Sequence, residues 1–193
     1  MFRRGFKSWC EETAVKVRTH QGLAPTDALS PFVLARELRV EVIEPAALTE
    51  LPEDVRRRLL GQHSDCWSAI SIPGKRRPLV VYNPAHSAAR QNSDLMHELA
   101  HIFLGHKPTM LFLDPSADLA LRTHDNAQEE EANWFAGCLL LPREVLLHIK
   151  AIGLSDESAC RQYGVSAKML VYRMNVSGVN LQHRRSQAWR KPR

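Results

Sequence analysis

Several common signatures are missing from this 193-residue chain. Its longest clean apolar runs, such as Leu139-Leu140-Leu141, are far too short to cross a bilayer. Residues 1–16 carry Arg3, Arg4, Lys7, Glu11 and Glu12 and lack the apolar core of a signal peptide. The four cysteines (Cys10, Cys66, Cys138, Cys160) lie far apart and form no C-x-x-C pair, which argues against a zinc ribbon or a dithiol redox motif. Internal repeats are absent, and no linker separates two cores. These absences predict a soluble, cytoplasmic, single-domain protein with reduced thiols and no membrane partner.

What is present fits that class. The chain is 44% hydrophobic and 24% charged, and its length suffices for one well-buried core. The net charge of +5 is uneven. His183 to Arg193 holds Arg184, Arg185, Arg190, Lys191 and Arg193 and no acid. Such a segment is expected as a disordered, solvated tail over 183–193, whose field could also attract nucleic acid or an acidic partner. The folded domain is then 1–182.

Punctuation and periodicity divide that domain. A helix is expected over 8–20, with Trp9, Ala14 and Val17 inward. Another starts at Ser30-Pro31, an N-cap followed by a first-turn proline, and turns Phe32, Leu34, Ala35 and Leu38 inward. Val40–Ile43 reads as a strand and Glu53–Leu60 as a third helix. Residues 67–72 alternate with period two and 79–82 are apolar, so the turn at 73–76 makes them a hairpin. Asn92 or Ser93 is expected to cap the next helix, which ends at Gly105. Lys107–Asn126 reads as mostly loop, with a turn of helix near 118–121. Helices follow over 128–140 and 143–152. Two short helices then flank Tyr163-Gly164-Val165-Ser166, a helical end-piece over 155–182 with a helix-turn-helix look.

The sharpest chemical signal is His97-Glu98-Leu99-Ala100-His101, an H-E-x-x-H inside an apolar run. On a helix, His97 and His101 are roughly 40° apart and one turn from each other, so both can reach one metal ion. Glu98, roughly 100° round, can reach a water on that ion without ligating it. Catalytic zinc commonly takes three protein ligands and leaves one position open. The extended pattern H-E-x-x-H-x-x-G-x-x-H fails here, because Gly105 and His106 are each one position off, in opposite senses. A carboxylate from a later helix is the other route, and Glu129, Glu130 and Glu131 compete for it. His106 reads as a helix-end residue beside the site rather than a ligand. His124 lies in the loop and could line a cleft. Phe135, Leu139 and Leu140 read as core, and spacing leaves Trp134 undecided.

Two blocks in order, His97-Glu98-Leu99-Ala100-His101 and Glu129-Glu130-Glu131-Ala132-Asn133-Trp134-Phe135-Ala136-Gly137-Cys138-Leu139-Leu140-Leu141-Pro142, resemble the ImmA/IrrE family of metallo-endopeptidases. That family's signature joins H-E-x-x-H to E-x-x-A-N-x-F-A-x-x-L-L-x-P. The likeness extends over about residues 8–182. It implies an α+β, mostly helical, zincin-like domain of the gluzincin kind, with a small antiparallel sheet and the H-E-x-x-H helix at the active site. In the family's register Glu129 is the third Zn²⁺ ligand beside His97 and His101. Asn133, one turn on, could orient a ligand histidine. Glu98 is the implied catalytic base. An extra donor to the oxyanion is also needed, and His124, Tyr172 and Arg173 are the candidates.

The resemblance implies a cytoplasmic regulator that cleaves a helix-turn-helix transcriptional repressor and so derepresses its operon. The rival is a DNA- or partner-binding regulator with a structural or inactive zinc site. There, residues 166–175 would be the recognition helix, with Lys168, Arg173 and Asn175 as its few polar groups. Glu98 favours the peptidase, since a structural site does not need it.

Overall fold

The computed structural model describes residues 2–48, 57, 61, 67–72, 77–106, 111–113, 120–122 and 125–190. Apart from Arg57, the residues of the helix expected over 53–60 lie outside the described residues, as do the turn at 73–76, Cys66 and His124.

Helix α1 spans Phe6–His20 and α2 spans Pro31–Glu37. Ser30 caps α2 by accepting from the Val33 N–H at 3.4 Å, with Pro31 in the first turn. The inward face of α1 is Phe6, Cys10, Thr13, Ala14 and Arg18, whereas Trp9 is 37% exposed. On α2 the fully buried positions are Pro31, Leu34 and Ala35, with Phe32 and Leu38 packed partly against the core.

Three strands follow: β1 (Glu41–Ile43), β2 (Ala69–Ile72) and β3 (Leu79–Tyr82). The β2–β3 pair is antiparallel, with Ser71 opposite Val80, as the alternation predicts. β1 joins β3 in parallel, so the sheet is mixed rather than purely antiparallel. The reason is connectivity: the chain leaves β1 and travels 35 residues before β3, far enough to return in the same direction. β3 is central, with Val80 and Val81 buried, and β2 is an edge strand.

Helix α3 (Ala88–Leu104) carries the H-E-x-x-H residues. It begins about one and a half turns earlier than the sequence predicts. Ser87 is the N-cap and accepts from Arg90 N, while Asn92 donates instead to the Gly164 carbonyl at 3.0 Å and Ser93 to Ala89 O. A Cβ at Gly164 would stand 2.6 Å from the Asn92 amide nitrogen, so this tie needs glycine there. Leu95, Met96, Leu99 and Ala100 are fully buried, each large side chain contributing about 1.5–3 kcal/mol. His97, Glu98 and His101 occupy the half-buried face between them. One helix therefore anchors itself with one face and presents its polar residues on the other.

Strands β4 (Leu111–Leu113) and β5 (Ala120–Arg122) pair antiparallel where loop and a turn of helix were expected. Each strand is only three residues long, too short for a two-residue period to register. Helix α4 (Asn126–Leu140) packs chiefly on α3 and α1. Asp125 caps it through Ala127 N and Gln128 N, Glu129 stands in its first turn, and residues 134–140 are buried. Trp134 belongs to this buried set, with its ring 5.4 Å from that of Phe2 and tilted 59° to it.

Helices α5 (Arg143–Ala151), α6 (Asp156–Tyr163), α7 (Ala167–Val176) and α8 (Val179–Arg190) complete the chain. Ser155 and Ser166 cap α6 and α7, and Gly164 turns between them with φ 60°. Residues 183–190, read from composition as tail, form the last two thirds of α8. Its start is tied down by the fully buried Val179 and by Arg143, which donates to Ser177 O and the Gln182 side chain.

Two buried guanidiniums close the C-terminal end of α4, where the last carbonyls lack helical partners. Arg18 donates to Leu140 O at 3.2 Å, Ala14 O and Asp27 O; burial pushes its pKa down to about 10, so it stays charged at neutral pH. Arg173 donates to Leu141 O at 3.1 Å and to Glu11 at 2.7 Å. A Cβ at Gly137 would lie 2.9 Å from the Arg173 Cδ, so Gly137 makes room for this side chain. Cys10, Cys138 and Cys160 are free thiols, and a hydrogen bond with the Cys10 thiol, then burial, push the Cys138 thiol far up. Such a thiol stays protonated and unreactive.

Candidate metal centre

His97 and His101 converge from α3 on Glu129 of α4. The two Nε2 atoms are 3.0 Å apart. Glu129 Oε2 is 3.2 Å from His97 Nε2, and its Oε1 is 3.5 Å from His101 Nε2. A tetrahedral ion with bonds of about 2.0–2.2 Å holds its ligand atoms roughly 3.3–3.6 Å apart. The three spacings, 3.0, 3.2 and 3.5 Å, lie in that range or within about 0.3 Å below it, and two imidazoles with one carboxylate are a donor set that suits a divalent metal. Side-chain exposures of 17–28% leave the group reachable from solvent.

Electrostatics favour the ligand form. Burial, then the neighbouring His97, push His101 down to about 4 against the opposing pull of Glu129. His101 is therefore neutral at pH 7, the state a metal requires.

Glu98 lies on the same face of α3 and accepts a short hydrogen bond from the Ser71 hydroxyl of edge strand β2. Sequence reasoning missed Ser71. Its only signal was its place in the alternating strand, which fixes a face but not a neighbour across 27 residues.

Of the three competing glutamates, Glu129 meets the histidines, Glu130 is exposed, and Glu131 turns to His106, with Oε2 3.3 Å from His106 Nε2. Asn133 is exposed, and no side-chain bond joins it to a described residue. The ring nitrogen of His101 that faces away from the group meets His106 Nδ1 at 3.0 Å instead. Tyr172 is 42% exposed on α7. Arg173 sits elsewhere, fully buried against Leu141 O, Glu11 and Gly137. Gly137 is eight residues, about 12 Å, along α4 from Glu129, so this guanidinium is committed away from the metal centre.

Comparison with known proteins decides the family. The profile of the M78 peptidases, described as the IrrE N-terminal-like domain, matches residues 52–175. The chain belongs to the IrrE N-terminal-like peptidase family. No curated protein matches it. Among solved structures, a Mycobacterium tuberculosis transcriptional regulator aligns with a TM-score of 0.55 and 18% identity. The alignment covers 86% of this chain and 46% of that one, so the chain spans less than half of that protein's length. At this identity the likeness is one of fold. The IrrE-like family is a metallopeptidase family, which accords with a His-His-Glu group able to hold a metal. Among the described residues no helix is long and apolar enough to cross a membrane.

Proposed function

We propose that this chain is a zinc-dependent endopeptidase of the gluzincin kind, with α3 as its active-site helix. The carrying observation is the convergence of His97, His101 and Glu129, with Glu98 beside them and held by Ser71. Zn²⁺ bound there supplies Lewis acidity toward a peptide carbonyl and makes water more acidic. His97, His101 and Glu129 would hold it. Glu98 accepts the attacking water's proton and delivers it to the leaving amine. Ser71 Oγ donates to Glu98 Oε2 and so fixes the rotation of that carboxylate. Edge strand β2, whose residue Ser71 reaches the base, offers backbone groups on which an extended substrate segment could add as a further strand. His124 and Tyr172 remain the candidates for the oxyanion donor.

The substrate in this reading is a protein segment that can become extended, in a helix-turn-helix repressor acting in the cytoplasm. The two motif blocks support that choice. The rival reading, direct DNA contact with a structural metal, gains nothing from α7. Arg173 is buried, and the exposed face is Lys168, Val171, Tyr172, Asn175 and Val176, mostly apolar.

Metal removal is the first test. Purified protein should hold one zinc per chain and cleave the repressor encoded beside it. A chelator should abolish cleavage and added zinc restore it. Glu129→Ala should lose zinc on dialysis, whereas Glu130→Ala should keep it; zinc retained by Glu129→Ala would defeat the ligand assignment. Ser71→Ala should lower kcat about 2- to 10-fold with KM little changed, the worth of one hydrogen bond. An unchanged kcat would remove Ser71 from the positioning of Glu98.

A further inference from the structure

We infer that His106 and Glu131 form a positioning relay that holds the metal-ligating ring of His101 and sets its donor strength. The inference rests on the zinc reading above and concerns two residues that reading does not use.

The argument begins with proton counting. A neutral imidazole has one N–H. His101 Nε2 faces His97 and Glu129, where a metal needs its lone pair, so the hydrogen is on Nδ1. That N–H points at His106 Nδ1, 3.0 Å away, which must accept. His106 then carries its own hydrogen on Nε2, which lies 3.3 Å from Glu131 Oε2. The chain His101–His106–Glu131 is consistent at each step, and the negative end makes His101 a better donor. The His106 side chain is only 7% exposed, so water competes little for these bonds.

The backbone builds this contact deliberately. In a continuing helix His106 would lie roughly 140° round the axis from His101. Gly105 instead adopts φ 67°, ψ 29°, a left-handed residue that ends α3. His106 N–H then bonds back to His101 O at 3.0 Å, and the two rings sit 5.0 Å apart at 69°. On α4, Glu129 and Glu131 are roughly 200° apart, so one carboxylate faces the metal group while the other meets His106.

The test is zinc affinity, measured by competition with a chromogenic chelator, with the thermal unfolding of the metal-free protein read alongside. Wild type must bind one zinc and Glu129→Ala must not; failure of that control overturns the zinc reading and this relay with it. With the control met, His106→Leu should weaken zinc about 10- to 100-fold, the range for lost partners of a ligand histidine. His106→Asn, whose side-chain oxygen can replace Nδ1 as acceptor, should recover most of that loss. Glu131→Leu should weaken binding alone yet add nothing in the His106→Leu background, because it acts only through His106. The ligand-field absorption of the Co²⁺-loaded protein should shift in His106→Leu and not in Glu130→Ala. Zinc affinity within twofold of wild type in His106→Leu, an Asn variant no better than Leu, or additive losses would overturn the relay. So would losses that merely track a fall in metal-free unfolding temperature. If His106→Leu fails to fold, His106→Asn against Glu131→Leu still decides.

Discussion

Glu98→Gln is expected to retain zinc and to lose about 10²–10⁴-fold in repressor cleavage, the usual contribution of a general base. The substitution changes little except basicity. Glutamine has the same length and shape, and its amide oxygen can still accept from the Ser71 hydroxyl that holds Glu98 in place. The three converging ligand atoms belong to other residues, so the metal group is untouched. An amide, however, cannot take a proton from water at neutral pH. Zinc content and cleavage rate should therefore separate cleanly in this one variant. Equal cleavage by the mutant would remove Glu98 from the mechanism. Loss of zinc together with activity would mean that Glu98 supports the metal, and the separation argued here would fail.

Arg173→Ala is expected to destabilise the fold by about 3–5 kcal/mol, the range for breaking a buried ion pair. Arg173 is fully buried and donates to both Leu141 O and Glu11. Glu11 in turn accepts from Arg143 N at 2.8 Å and from the Cys138 thiol at 3.6 Å. Removing the guanidinium leaves a carboxylate without its cation, a helix-end carbonyl without its donor, and a cavity beside Gly137. A domain of this size has a total stability of about 5–15 kcal/mol, so the loss is a large share. With a urea m-value of about 2 kcal/mol/M, the midpoint should fall by about 1.5–2.5 M. Arg173→Met combined with Glu11→Gln should be milder than Arg173→Ala, because no charge is stranded. An unchanged midpoint with lost cleavage would return Arg173 to the catalytic role that the sequence suggested for it.

These two residues show how legibility divides along the chain. Glu98 was readable because H-E-x-x-H is a local pattern on one helix, where spacing fixes direction. The same holds for the apolar face Leu95-Met96-Leu99-Ala100, the Ser30-Pro31 start of α2, and the β2–β3 hairpin. Arg173 misled because a cation near a motif reads as exposed and functional. Only packing reveals a guanidinium spent on a helix-end carbonyl and a carboxylate. Glu129 stood between: composition offered three glutamates in a row, and the family register singled out one of them.

By itself the sequence determined a mostly helical α+β chain with two imidazoles and a carboxylic acid on one helical face, because period and capping act over a few residues. The tertiary structure alone decided the rest. It set β1 parallel to β3, paired β4 with β5 and carried α8 into the basic segment as far as Arg190. It also joined Ser71 to Glu98, and it brought His106 and Glu131 behind His101. Each of these depends on contacts between segments distant in the chain, or on one left-handed glycine that redirects a side chain, and neither leaves a period in the sequence.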